Sequence, residues 1–150
     1  MSRGGVVAHV CAALTLAGCG ASSKPVHAAR PAPFHLEITA GKDVNQGGPL
    51  YVVVRKIDSA GFLAEDYDAI ADGLFREPHD PAVLRKAIVR PGQVVTVDAD
   101  HDLADGEITG IYFLFSMPGD DWRLAIQDRA IHRVRIVLGA SGVTSVEQRP

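Results

Sequence analysis

Alternation of apolar and polar side chains along the chain predicts a protein built mainly of β-strands. In residues 34–39, Phe34, Leu36 and Ile38 alternate with polar side chains, which is the period of a strand with one buried face. Runs of β-branched and aromatic residues predict further strands at 50–57, 93–99, 107–117, 131–138 and 143–146. The apolar middle of residues 50–57 predicts burial on both faces. Residues 122–126 fit either a short strand or packed coil.

Two segments have helical patterns. Between residues 62 and 75 apolar side chains recur at steps of three and four, which predicts one amphipathic helix. The acidic residues between them form a stripe that suits a solvated helix face better than a docking face. They are Glu65, Asp66, Asp68 and Asp72. Asp80 and Pro81 resemble an N-cap and a first helical residue, so a second, short helix is expected over 82–86.

Turn residues separate the strands and indicate the fold. Three glycines and a proline among polar residues make 41–49 an expected exposed loop, and residues 139–142 are expected to turn the last two strands into a hairpin. Short strands, frequent turns and one helical excursion predict a β-sandwich with a small helical insertion at one edge, formed by residues 34–150 as one domain.

The N-terminal residues have the order of a bacterial export signal. An apolar run at 6–17 follows Arg3, and at about 18 Å as a helix it is too short for the roughly 30 Å hydrocarbon core of a membrane. It ends in Leu16-Ala17-Gly18-Cys19, a lipobox, which predicts a signal peptide at 1–18 and diacylglycerol on the Cys19 thiol. Cys11 lacks the preceding small residue. The alternative, a chance tetrapeptide in a buried helix, fits this position poorly.

Residues 19–33 are predicted to be the lipidated cysteine and a flexible tether. The segment after Cys19 contains small residues, three prolines and no apolar period. Fully extended, it would hold a folded domain up to about 45 Å from the lipid. An ordered edge segment is the less favoured alternative.

Composition restricts the function further. The net charge of −3 becomes −4 once Arg3 is removed, which argues against a nucleic-acid surface. Cys19 would be the only cysteine of the processed chain, so a disulfide within the domain and a Cys-His protease are excluded.

The sequence contains no convincing catalytic or metal-binding pattern. Asp98, Asp100 and Asp102 resemble a calcium loop, but Leu103 replaces its essential glycine and Thr109 its closing glutamate. The scattered histidines lack zinc spacing, and neither a nucleophile elbow nor a phosphate-binding glycine loop occurs. Trp122 and Arg123 could form a recognition patch, but a tryptophan after a turn is more often a core residue. We therefore expect no enzyme activity, no cofactor and no metal.

Several segments, in this order, resemble the TssJ (SciN-type) outer-membrane lipoproteins of type VI secretion systems. They cover nearly all of the domain after the tether, and their order carries more weight than any one of them. They are the lipobox; Asp43-Val44-Asn45 followed by Gly-Gly-Pro and the strand at 50–55; the helical segment with Ala64-Glu65-Asp66-Tyr67; Arg90-Pro91-Gly92; the strand at 110–115; and Trp122-Arg123.

The resemblance implies a transthyretin-like β-sandwich without enzymatic activity. It implies a lipid anchor in the outer membrane, a periplasmic location, and binding to the periplasmic domain of the inner-membrane protein TssM. In that family the loop between the first two strands contacts the partner. Here this loop is residues 41–49, which makes Lys42, Asp43, Asn45 and Gln46 the contact candidates. The alternative, that the glycines merely close a connection, is equally compatible with the sequence.

Two other functions remain open from the sequence. The first is a periplasmic β-sandwich lipoprotein that binds a small ligand or inhibits an envelope enzyme, which would favour a deep apolar pocket between the sheets. The second, a lipid-tethered hydrolase, has no supporting motif.

Overall fold

The computed structural model describes residues 33–100 and 102–150. The predicted signal peptide, Cys19 and all of the predicted tether except Pro33 lie outside the described residues. None of the helices in the described part of the chain has the length and apolar character needed to cross a bilayer.

Within these residues eight strands form two four-stranded sheets that pack face to face. The first sheet has the order β4-β1-β7-β8 and the second β3-β2-β5-β6. All neighbours are antiparallel except β1 and β7, which are parallel. The predicted β-sandwich is confirmed. The elements are β1 (Phe34–Ala40), β2 (Leu50–Asp58), α1 (Ser59–Ala64), α2 (Tyr67–Gly73), β3 (Val83–Val89), β4 (Val94–Ala99), β5 (Glu107–Leu114), β6 (Arg123–Ile126), β7 (Arg133–Leu138) and β8 (Val143–Arg149).

The core between the sheets is formed by the alternating apolar residues of the strands. In β1, Phe34, Leu36 and Ile38 are buried and point into it, as the period of two predicts. The middle of β2 is buried on both faces, as predicted: Val52 and Val54 join this core, and Val53 joins a second cluster on the other side. The strand β5 is divided between the two clusters in the same way.

The helical segment covers the outer face of the second sheet. The second cluster packs apolar side chains of α1 and α2 against Val53, Tyr112 and Leu114. The helices therefore lie on a face of the sandwich, and the expected position at an edge is wrong. The segment 62–75, expected to form a single helix, forms two. Glu65 is extended, and the Asp66 carboxylate caps α2 by accepting from the Asp68 and Ala69 amides.

The prediction of a short helix at 82–86 is wrong, because Ala82 lies in a turn and residues 83–86 belong to β3. The Asp80 side chain does accept a hydrogen bond from a following amide, that of Ala82, at 2.8 Å. It closes a turn instead of starting a helix, and Val83 onward pairs with β2. The pairing partner decides the conformation, and it lies some thirty residues earlier in the chain.

A buried polar cluster joins the helical segment to the second sheet. One Glu65 carboxylate oxygen accepts from Arg55 and the other from the Tyr112 hydroxyl. Arg55 also donates to Asp80 at 2.6 Å, and Arg123 donates to the carbonyls of Phe62 and Glu65. The Glu65 side chain is only 16% exposed. The solvated acidic stripe predicted for this segment is therefore wrong at Glu65, which holds the two helices to the sheet.

Gly110 makes room for the tyrosine of this cluster. A Cβ atom at position 110 would lie 2.7 Å from the Tyr112 hydroxyl oxygen, well inside contact distance. The ring of Tyr112 thus lies over its own strand and brings its hydroxyl to Glu65. A glycine inside a strand here serves close packing.

The substitution Glu65→Gln tests the cluster. The amide keeps one accepting oxygen and places a donor nitrogen where the other carboxylate oxygen accepted, and it removes the charge that faces Arg55. We expect a loss of about 2 kcal/mol in the free energy of unfolding. The matched control is Glu37→Gln, which affects the exposed pair with Arg135 and is expected to cost less than about 0.5 kcal/mol. Urea unfolding of the chain starting at Gly20 measures both. Equal losses would show that the cluster does not hold the helices.

Tyr112 makes stability depend on alkaline pH. Burial, reinforced by the hydrogen bond to Glu65, raises the pKa of Tyr112 above its ordinary value of 10.0, and burial also raises the pKa of Tyr67. The folded chain then holds protons that the unfolded chain releases, so this stability is complete below about pH 10 and is lost as the pH rises above it. We expect the urea midpoint to fall as the pH rises from about 10 to about 11. The fall should be smaller in Tyr112→Phe, and an equal fall would contradict the assignment.

Candidate partner-binding loop

The strand directions bring four connections to one end of the sandwich. Because β1 and β7 are parallel, their last residues, Ala40 and Leu138, lie side by side. In the second sheet, Leu50 at the start of β2 pairs with Val89 at the end of β3. We call this end the loop end; it comprises residues 41–49, 90–93, 115–122 and 139–142.

The first of these connections, residues 41–49, has a defined conformation. Val44 is fully buried in the core between the sheets, and Val44–Gly47 form a compact turn. Asn45 and Gln46 have positive φ angles of 48° and 56°, and Gly47 follows at 82°. The loop is therefore only partly the exposed segment that the sequence predicts. Val44 holds the middle of the loop against the core. The glycines around it make the sequence look like an exposed loop and give no sign of this packing.

Asn45 fixes the loop through its side-chain amide. The nitrogen donates to the Pro49 carbonyl at 2.5 Å, and the oxygen accepts from the Ser116 amide at 2.6 Å. Asn45 is only 6% exposed. The Asn45 side chain is therefore not exposed at the surface, because both ends of its amide are used within the fold, and its role as a partner contact stays a prediction.

The remaining predicted contacts are at the surface. Lys42, Asp43 and Gln46 are exposed around the buried pair of Val44 and Asn45. They present one cation, one anion and one neutral amide. The structure places these three side chains on one short loop, and whether a partner binds them stays a prediction.

Backbone hydrogen bonds connect the four segments of the loop end. The Gly41 amide donates to the Leu138 carbonyl at 3.1 Å, and the Gly92 amide donates to the Gly41 carbonyl at 3.1 Å. The Gly119 amide donates to the Ser141 carbonyl at 2.7 Å. Together with the bond from Ser116 to Asn45, these contacts make the loop end a single connected surface.

The chain enters the sandwich at the opposite end. Phe34, the first residue of β1, pairs with Ala99, the last residue of β4, and the His35 amide donates to the His132 carbonyl. We call this the tether end. The seven residues of β1 separate the two ends by about 20 Å.

The other candidate residues of the sequence have structural contacts. The Trp122 ring packs edge-on against Tyr67 with ring centroids 5.1 Å apart, and the Arg123 guanidinium lies 4.9 Å from the centre of the Phe62 ring. Both belong to the packing of helices on sheet. Asp98 pairs with His35 at 2.6 Å, and among the described residues no cluster of histidine, cysteine and acidic side chains suits a metal ion.

Two neighbouring grooves lie on the outer face of the second sheet. One, of about 380 Å³, lies between α2 and the sheet, beside Arg55 and Asp80. The other, of about 500 Å³, lies beside Tyr51, Phe75 and Ile88. Neither is between the two sheets, where a contiguous cluster of side chains fills the space.

Solved structures share this fold. TssJ1, a lipoprotein of the type VI secretion system of Pseudomonas aeruginosa, matches with a TM-score of 0.58 and 19% identity over 80% of this chain and 98% of that chain. Lip from Serratia marcescens, described as a membrane-bound component of the type VI secretion system, matches with a TM-score of 0.56 and 17% identity over 80% and 97%. A chain in a structure described as the TssM C-terminal domain from EAEC matches with a TM-score of 0.53 and 24% identity over 79% and 98%.

Sequence comparison gives the family. A search of the curated proteins finds no match. The sequence model of the IglE N-terminal domain matches residues 51–138, which is more than half of the chain and runs from β2 to the end of β7. The resemblance to TssJ proteins is confirmed in the fold. The chain therefore belongs to the IglE N-terminal domain family and has the β-sandwich fold of the TssJ lipoproteins.

Proposed function

We propose that this protein is a lipoprotein of a type VI secretion system that anchors the envelope-spanning complex to the outer membrane by binding the periplasmic domain of TssM. The observation that carries the proposal is the placement of the tether end and the loop end at opposite ends of β1. The descriptions of the structural relatives, a type VI secretion lipoprotein and a structure of TssM, support the same assignment.

The anchor in this proposal is lipid on Cys19, after removal of residues 1–18. One acyl chain holds a protein only marginally, whereas two or more, at about 0.8 kcal/mol per buried methylene, hold it stably. Residues 19–33 are the tether and join the folded domain of residues 34–150 at the tether end. The loop end then faces away from the membrane into the periplasm.

The contact residues in this proposal are Lys42, Asp43 and Gln46. They are exposed on a loop whose backbone is held by Val44 and Asn45, so their side chains can meet a partner without unfolding the loop. Asn45 supports them from beneath.

The alternative of a small-ligand lipoprotein has less support. It requires a deep apolar pocket between the sheets, and that space is filled by side chains of both sheets, among them Leu36, Ile111 and Ile136. The two grooves lie on the outer face of the second sheet and not between the sheets. The proposed role is accordingly one of attachment, without a reaction or a cofactor.

The substitution Cys19→Ser tests the anchor. A serine hydroxyl does not replace the thiol in the attachment of diacylglycerol, so the variant should leave the membrane fraction while the sandwich stays folded. Cys11→Ser is the matched control and should remain membrane-bound, because Cys11 is not preceded by a small residue. Fractionation of the native host with mass spectrometry of the N-terminal peptide measures both. Membrane binding that survives in Cys19→Ser would place the anchor elsewhere.

A triple substitution tests the loop. Lys42→Ala, Asp43→Ala and Gln46→Ala together should weaken binding to the purified periplasmic domain of TssM by about tenfold or more, because they remove the exposed polar contacts. The matched control carries Arg76→Ala, Asp72→Ala and Gln127→Ala, which remove the same three kinds of group from exposed positions outside the loop end.

Calorimetry or surface plasmon resonance measures the affinity, and urea unfolding checks that both triple variants are folded. Equal affinity of the two would exclude the loop as the contact. Failure of the unchanged chain to bind TssM would refute the proposed partner.

A further inference from the structure

We propose that Asn45 is a positioning residue that joins residues 41–49 to residues 115–122 in one preformed docking surface, and that Met117 is the apolar contact of that surface with the TssM periplasmic domain. This inference rests on the proposed function and extends its binding site to a second segment. That segment is far from the first in sequence.

The geometry of Asn45 makes it a bridge between two loops. Its one amide group binds Pro49, four residues on, and Ser116, 71 residues on. Both bonds are part-buried, and the backbone of Asn45 has a positive φ, a conformation that asparagine tolerates better than most residues. The next residue, Gln46, has a positive φ as well and is less suited to it. The bonds of Asn45 therefore hold a conformation that the loop would not keep alone.

Met117 is held in place on both sides. Ser116 before it donates its amide to Asn45, and Gly119 after it donates its amide to the Ser141 carbonyl at 2.7 Å. The Met117 side chain is nevertheless 64% exposed. The backbone around a large apolar side chain is thus fixed while the side chain itself lies at the surface.

The two loops that Asn45 joins have the composition of a small protein interface. Lys42, Asp43 and Gln46, on the first loop, and Asp120, on the loop of Met117, are exposed and polar. An apolar residue bordered by polar ones is the usual arrangement of a contact that carries binding energy. The thioether of methionine adapts to the shape of a partner, and a fixed backbone lowers the entropy lost on binding. Continuity with residues 41–49 makes TssM the expected occupant.

The substitution Met117→Ser tests the apolar contact. It should weaken binding to the purified periplasmic domain of TssM by about tenfold, because the apolar area that the partner covers is lost. The matched control is Leu63→Ser, which removes an apolar side chain that is 73% exposed on α1, outside the loop end. Its affinity should equal that of the unchanged chain.

The substitution Asn45→Gly tests the positioning role, because glycine keeps the positive φ and removes only the side chain. The Ser116 amide should exchange its hydrogen faster by about tenfold or more in the absence of TssM. Asn45→Asp keeps the acceptor for Ser116 and loses the donor to the Pro49 carbonyl, so this amide should stay better protected than in Asn45→Gly. This second variant also serves if Asn45→Gly lowers stability too far. A contact residue without a positioning role would change affinity and leave the Ser116 exchange unchanged.

A double-mutant cycle connects the two residues. If Asn45 acts by holding Met117 in place, then Met117→Ser should weaken binding much less in the Asn45→Gly chain than in the unchanged chain. Equal losses in both backgrounds would overturn the single surface. If the unchanged chain binds TssM and the triple loop variant weakens it, but Met117→Ser behaves like Leu63→Ser, only the present inference fails. If the unchanged chain does not bind, the proposed function fails with it.

Discussion

The fold depends on the burial of β2 and β5 on both faces. Each strand has one set of side chains in the core between the sheets and another beneath the helices, so that Val52 and Val53, adjacent in sequence, belong to different clusters. The two clusters are therefore stabilised by the same pair of strands. The helices cover the outer face of these two strands, whose apolar side chains would otherwise be exposed to solvent. They therefore have to be held close to the sheet. The attachment is the buried cluster around Glu65, with partners on β2, on β5 and in the turn before β3.

Most of the sheet structure follows from local patterns in the sequence. The strands at 34–39, 50–57 and 93–99 were predictable because alternation and β-branched content directly reflect which side is buried. The segment 82–86 was not, because Asp80 and Pro81 are a reasonable helix start and only pairing with β2 makes the segment a strand. Asp66 is a residue type that often caps helices, so the sequence contains a signal for the helix break. The apolar period continues on both sides of Asp66 and concealed that signal. No local pattern predicts that the Glu65 side chain faces the sheet, because its partners Arg55 and Tyr112 lie ten and 47 residues away in the chain.

The candidate site shows the same division. The position of the loop at 41–49 followed from its glycines and proline, and the family resemblance suggested its role. The resemblance gave no means of separating Asn45 from its exposed neighbours, because the bond that buries its side chain joins it to Ser116. Met117 was hidden for a related reason. The apolar run predicts a strand through residue 117, but β5 ends at Leu114. The residues after it, including Met117, belong to the loop end.

The central position of β1 has a mechanical consequence. The lipid tether would join the chain immediately before Phe34, and the proposed partner loop begins immediately after Ala40, so a pull between membrane and partner would act along this one strand. A strand pulled at its two ends carries the load along its own extended backbone, and the ladders to β4 and β7 hold β1 in place on both sides. Because a strand is already close to the full length of its chain, it has little room to lengthen under such a pull. In the proposed role, the load between membrane and partner would thus act along a strand that is paired on both sides.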